Sequence, residues 1–255
     1  MNYYIYDKTF EGLLTVVFDV YYTKKIPDKI DEKEEKSLFP GTTYVVETNE
    51  NKARRVWKGL HKKLSKSACA MLPIVFFSEL PDIEMLLFRY MQKALDSKKC
   101  IETNFGDTDV LQITKIYRKV IREAERLQMF VRFQKTADGI FFSPVEPIYN
   151  VIPIVVDFFE DRFADQSWII YDVKRRYGMY YDLQKTKEVI FDNLDFNFET
   201  GKLNEAQAAK DELLFQQLWK NYFKTISIKE RTNPKLHRQH LPMRFWKFLP
   251  EKQTQ

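Results

Sequence analysis

The chain has 255 residues, 44% of them hydrophobic and 15% aromatic, enough to bury a sizeable core as one large domain or two small packed ones. Its 2 cysteines, Cys69 and Cys100, argue against a disulfide framework and against a cysteine-based zinc or iron–sulfur site, and a 30% share of charged residues points to a water-exposed surface. The net charge of +5 is mild, so a case for an acidic partner rests on where the cations cluster.

The opening MNYYIYDKTF lacks a basic leader and an apolar run of secretory length, so the expected compartment is the cytoplasm, away from the membrane. Tyr3 to Asp7 reads as a short strand. Phe10, Leu13, Leu14, Val17, Phe18 and Tyr21 then recur at three- and four-residue spacing, which predicts a helix with Thr9 as its cap. Residues 24–41 are charged and carry Pro27, Pro40 and Gly41, and read as an exposed connection to a second strand, Thr43 to Thr48. Ala53, Val56, Trp57, Leu60 and Leu64 mark the apolar stripe of a helix whose other side holds Lys52, Arg54, Arg55, Lys58, Lys62 and Lys63. Helices are expected over Ser67 to Ser78, bent at Pro73, and over Asp82 to Ser97.

Val110, Ile113, Ile116, Val120, Ala124 and Leu127 predict a long helix capped by Asp107 or Thr108, with Lys115, Arg118, Lys119, Arg122 and Arg126 as a second basic cluster. FVRF at 130–133 and IFF at 140–142 read as strands of a hairpin whose turn contains Asp138 and Gly139. Residues 150–163 look helical, with Pro153 in the first turn. Trp168 to Val173 and Met179 to Leu183 look like strands joined across Lys174, Arg175, Arg176 and Gly178. A last substantial helix is expected over Glu205 to Lys224. Strands arriving in hairpins, more than in regular alternation with helices, predict an α+β fold, helix-rich with antiparallel hairpins. It would form one compact domain over 1–255 or two packed lobes, 1–128 and 129–255.

The 7 glycines form neither a GxGxxG nor a GxxxxGKS/T loop, no GxSxG elbow is present, and neither cysteine has the context of an activated nucleophile, so no cofactor is implied. His237 and His240 could face one way on a helix, but two ligands without a third acid or thiol nearby do not make a metal site. Asp157, Glu160 and Asp161 stand at helical spacing and are followed by Asp172, Val173 and Lys174 at a strand end, a pattern similar to the D-x-K of metal-dependent nucleases. There acids hold Mg²⁺ and a lysine activates water or stabilises phosphate charge. As ordinary residues they would be a hydrated helix face and a strand-end acid paired with Arg175 or Arg176.

The densest charge lies between Lys229 and Glu251, where Lys229, Arg231, Lys235, Arg238, Arg244 and Lys247 are opposed by Glu230 and Glu251. Asn233, His237, Gln239 and His240 add hydrogen-bonding groups, and Phe245 and Trp246 add flat rings, a combination suited to a polyanion. The same stretch also fits a tail docked through Leu241, Phe245, Trp246 and Leu249 with its charges solvated.

Taken together, YYIYDKTFEGLLTVVFDVY, FFEDRFADQSWIIYDVKRRYGMYYD and ERTNPKLHRQHLPMRFWKFLPE resemble a bacterial family of uncharacterised DNA metabolism or DNA repair proteins, over essentially the whole chain. The resemblance implies a neighbouring radical S-adenosylmethionine protein as partner, and a related domain is joined to a uracil-DNA glycosylase in some members. Since the chain stops at Gln255, just after the terminal motif, glycosylase activity is not expected of it. The resemblance implies DNA as the ligand of Arg175, Arg176, Arg231, Asn233, Lys235, His237, Arg238, His240 and Arg244, with Trp246 either stacking on an exposed base or anchoring the tail. The expected function is therefore DNA binding in repair or modification beside that partner enzyme. Alternatives are a DNA-processing enzyme, nuclease or base-removing, using Asp157, Glu160, Asp161 or Asp172, and a pure protein-interaction module.

Overall fold

The structure is a computed structural model that describes residues 1–32, 41–191, 197, 201–204 and 206–253, with only the backbone of Lys229. The fold is α+β, and the chain divides into two compact units, Met1–Ile121 and Arg122–Gln255.

In the first unit β1 (Asn2–Ile5) leads into α1 (Phe10–Thr23). Thr9 caps that helix as expected: its Oγ1 accepts from the Gly12 amide at 2.9 Å and donates to Asp7 at 2.7 Å. Gly12 is required by the crowding there, because a Cβ would sit 2.3 Å from Asp7 Oδ1 and 2.8 Å from Thr48 Oγ1. The helix ends at Lys24, whose φ of 60° is left-handed. Then β2 (Lys29–Asp31) pairs in parallel with one side of β1, and β3 (Thr42–Val45) with the other.

The sequence predicts strands at both ends of this stretch without a pairing, and the structure makes the pairing parallel. The reason is the crossover through α1, which returns the chain alongside β1 in the same direction. It also places a strand inside the segment read as a bare connection, of which residues 33–40 lie outside the described residues.

Helices α2 (Glu50–His61), α3 (Lys66–Phe76) and α4 (Ile83–Asp96) complete this unit with the first part of α5 (Thr108–Phe130). Asn49 and Ser65 cap α2 and α3, and Asp107 caps α5 by accepting from the amides of Asp109 and Val110. Helix α3 continues through Pro73. Leu13, Val16, Leu60, Cys69, Leu87 and Ile113 are buried at the core of this unit.

The second unit holds a five-stranded sheet in the order β4 (Gln134–Lys135), β5 (Phe141–Val145), β6 (Trp168–Asp172), β7 (Tyr177–Tyr181) and β8 (Thr186–Val189). The hairpins β4–β5, β6–β7 and β7–β8 are antiparallel, whereas β5 and β6 run parallel because α6 (Ile152–Arg162) crosses between them. The first of these hairpins turns at Gly139, with φ of 86°.

The FVRF run is not a strand. Helix α5 carries its period as far as Phe130, and Phe133 turns its ring onto Phe159, Phe163 and Trp168, so pairing begins only at Gln134. Trp168, fully buried, stacks on Tyr181 at 5.5 Å. The last long helix, α7 (Glu212–Ile226), starts later than Glu205, itself outside the described residues. Ala209 N donates to Lys135 O and Ala137 N to Gln207 O, so those residues are tied to the hairpin edge instead of winding into a helix.

Gly178 of β7 has the Ile170 carbonyl 2.8 Å from where a Cβ would stand. Gly178→Ala is expected to cost about 1–3 kcal/mol through overpacking of a strand paired on both sides, read as a fall in Tm.

Candidate nucleic-acid interface

Past α7 the chain forms a 3₁₀ turn at Lys229–Arg231 and a short helix, α8 (Pro234–His240). Asn233 starts α8 by local chemistry: its Oδ1 accepts from the Leu236 amide at 3.0 Å, and Pro234 occupies the first turn, where its missing N–H does no harm. Two further 3₁₀ turns, Met243–Phe248 and Pro250–Lys252, follow. They are held by Leu241, Phe245 and Leu249, buried in one cluster with Phe130 and Trp246. The docked tail weighed from the sequence is thus present.

Between α7 and α8 lies a pocket of about 620 Å³ whose lining includes Phe223, Ile226, Arg231, Asn233, His237, His240 and Lys252. No Asp or Glu is among the described residues that line it. Lys252 Nζ sits 5.0 Å from the Phe223 ring centre and 5.4 Å from that of Trp246, and the His237 ring is 6.0 Å from Trp246. His237 Nε2 is buried with no hydrogen-bond partner among the described residues. Burial, reinforced by the Lys252 charge, lowers the His237 pKa below its ordinary 6.5. Lys235 and Arg238 are exposed on the same short helix. The pocket wall therefore sets Arg231, Lys252 and the two histidines among apolar side chains, Phe223, Ile226, Ile228, Pro234 and Leu236.

Four of the residues expected at this interface thus line one pocket, Arg231, Asn233, His237 and His240, and Lys235 and Arg238 flank it on α8. Others are placed differently. Arg244 Nη2 donates to Glu123, a carboxylate only 2% exposed that also lies 3.9 Å from Arg126 and accepts from the Ile148 amide at 3.0 Å. Burying Glu123 without a cation would be costly, so Arg244 is held as its counter-ion and is not offered to a ligand. Lys247 pairs with Glu146, whose side chain is partly exposed. Trp246 Nε1 donates to the Leu241 carbonyl at 3.1 Å and its ring belongs to the tail's anchoring cluster.

Arg175 and Arg176 occupy the β6–β7 turn. Arg175 Nη1 donates to Asp172 at 2.8 Å and Nη2 to the Ile148 carbonyl at 3.2 Å, fixing the turn, while Arg176 is exposed with φ of 60°.

Asp172 is fully buried at the end of β6 and accepts from the amides of Lys174 and Arg175. Burial pushes its pKa up, while those donors and Arg175 pull it down. Its role is to close the turn. Asp157 and Asp161 are exposed on α6, and Glu160 accepts from Thr186. Among the described residues no three His, Cys, Asp or Glu side chains are grouped to hold a metal ion.

Other basic residues are engaged locally: Lys52 with Asp19 at 2.7 Å, and Arg54 with Glu50 at 3.7 Å. Sequence reasoning missed Lys252, which follows the basic strip by one residue and reaches the pocket because the last 3₁₀ turn folds back against α7. It also missed how much of α7 stays exposed: Leu213, Leu214, Phe215, Leu218, Tyr222 and Ile226 are all more than half exposed.

These features define a helix-rich α+β protein with a pocket in its C-terminal part that is lined, among the described residues, by cations, histidines and apolar side chains without a carboxylate. The chain belongs to the DUF4130 family, a domain of unknown function, which matches residues 81–251 and so contains most of the pocket wall. No curated protein and no solved structure matches it. Among the described residues no helix is long and apolar enough to cross a membrane.

Arg244→Ala is expected to lower stability by about 3 kcal/mol in denaturant titration, because it leaves Glu123 without its nearest counter-ion. Arg231→Ala, at an exposed site, should stay within about 0.5 kcal/mol of the parent.

Proposed function

We propose that this protein binds DNA in a repair or modification process and holds it for a partner enzyme, a radical S-adenosylmethionine protein. The observation that carries the reading is the pocket between α7 and α8, where Arg231, His237, His240 and Lys252 meet Phe223 and aliphatic side chains with no lining carboxylate among the described residues. Phosphates would be held by Arg231, Lys252 and the flanking Lys235 and Arg238, and shorter-range hydrogen bonds would come from His237 and His240. The process and the partner come from the sequence resemblance alone, as does the association of related domains with uracil-DNA glycosylase. Arg176 is a further exposed cation that could touch the backbone.

A second reading has its own support. The exposed stripe on α7, with Leu214, Leu218, Tyr222 and Ile226, is the kind of surface by which a protein docks a partner, so an interaction module is the competing assignment. The nuclease alternative finds less support, since Asp172 is occupied in closing a turn.

Arg231→Ala/Arg238→Ala should weaken oligonucleotide binding and flatten its dependence on salt by about 0.7 in the log–log slope for each single-strand phosphate no longer neutralised. Fluorescence anisotropy across a salt series reads both quantities, and an unchanged affinity and slope would refute the assignment. Burial and the Lys252 charge lower the His237 pKa from its ordinary value, which favours the neutral ring near pH 7. Binding is expected to tighten as pH falls and the ring gains charge beside the phosphates. An NMR titration of the ring should move upward when oligonucleotide is bound; a curve that does not move removes His237 from the interface.

A further inference from the structure

A second cavity, of about 600 Å³, lies between the other end of α7 and the β4–β5 hairpin. Phe133 and Phe141 form its sheet side and Phe215 and Trp219 its helix side, and its polar lining mixes Arg132, Lys135 and Gln216 with the carboxylates of Asp211 and Glu212. Its size falls in the range of pockets that enclose small flat ligands.

The arrangement is built. Glu251, only 3% exposed, accepts from Arg132 Nη2 at 3.0 Å and Nε at 3.2 Å through one oxygen, and from the Trp219 indole N–H at 2.8 Å through the other. One carboxylate thereby fixes both a guanidinium and an indole, with the guanidinium carbon 5.4 Å from the indole centre. The ring contacts of Phe133 run away from the cavity, to Phe159, Phe163 and Trp168, and that of Trp219 runs to Tyr222. The four rings therefore line the space without packing on one another. Phe215 is 56% exposed, a large ring left uncovered by its own fold. On the sheet side Lys135 stands directly across from Phe141 in the ladder and makes no ion pair among the described residues.

An aliphatic ligand would use the apolar area and leave the donors and acceptors of the lining unmet, whereas a nucleobase stacks on the rings and offers its edge to those polar groups, with its phosphates left outside the cavity. Helix α7 also leads from this cavity directly to the cationic pocket, since Trp219 and Phe223 are one turn apart and line the two spaces. We propose that the cavity takes one base of a single-stranded nucleic acid, stacked on Phe215 and Trp219, while the strand's phosphates continue along α7 towards Arg231 and Lys252. The assignment rests on the DNA-binding reading above and adds to it the strandedness of the ligand and the place of a base. Glu251 is a positioning residue for the Arg132–Trp219 wall.

The test compares a short oligothymidylate with an abasic phosphodiester oligomer of the same length, by anisotropy at low salt. The parent protein should bind the abasic oligomer about tenfold or more weakly, the weight of one stacked base. Phe215→Ala should lose a similar factor on oligothymidylate and little on the abasic oligomer, and Phe215→Tyr should restore binding. Equal affinity of the parent for the two oligomers, or an equal loss on both in Phe215→Ala, would overturn the base site while leaving salt-dependent DNA binding in place. Failure to bind either oligomer would overturn the DNA reading and the base site together.

Discussion

The carboxylate of Glu123 sets the terms for the C-terminal part of this molecule. It is 2% exposed on α5, and a charge so placed must be met by cations and donors or not be charged at all. Arg244 meets it from the far end of the sequence, the Ile148 amide meets it from the loop after β5, and Arg126 stands nearby. Its demand for a counter-ion and the burial of Leu241, Phe245 and Leu249 therefore fix the tail in one position. Everything that lines the cationic pocket beyond α7 depends on that docking.

The same constraint sorts the basic residues into two groups. Arg175, Arg244 and Lys247 are counter-ions to Asp172, Glu123 and Glu146, and their positive charge is cancelled where it stands. Arg231, Lys235, Arg238 and Lys252 make no ion pair among the described residues, and they gather around α8 and the final turn. A net charge of +5 spread evenly would attract little; local cancellation at some sites and concentration at another is what gives the C-terminal region its electropositive character.

Much of this was legible in the chain. Helical spacing located α1, α2 and α5, and the capping residues Thr9 and Asp107 were readable because their chemistry is local. The β6–β7 hairpin was visible from its aromatic runs. The parallel pairing of β1 with β2 and β3 was not, because short strands say nothing of direction and the crossover that decides it is a tertiary event. FVRF looked like a strand because Phe and Val favour one, yet the packing of Phe130 on Phe245, 115 positions along the chain, extends the helix instead. Among the candidate site residues, the cluster from Arg231 to His240 was recognisable by composition, whereas Arg175 and Arg244 could be told apart from it only once their buried carboxylates were in view.

The last 3₁₀ turn serves two walls. Glu251 and Lys252 are consecutive, and the first braces the wall of the cavity beside the β4–β5 hairpin while the second projects between Phe223 and Trp246 in the other. A rotation of this single turn alters both walls at once. The two recesses share a hinge pin, and neither can be reshaped without the other registering it.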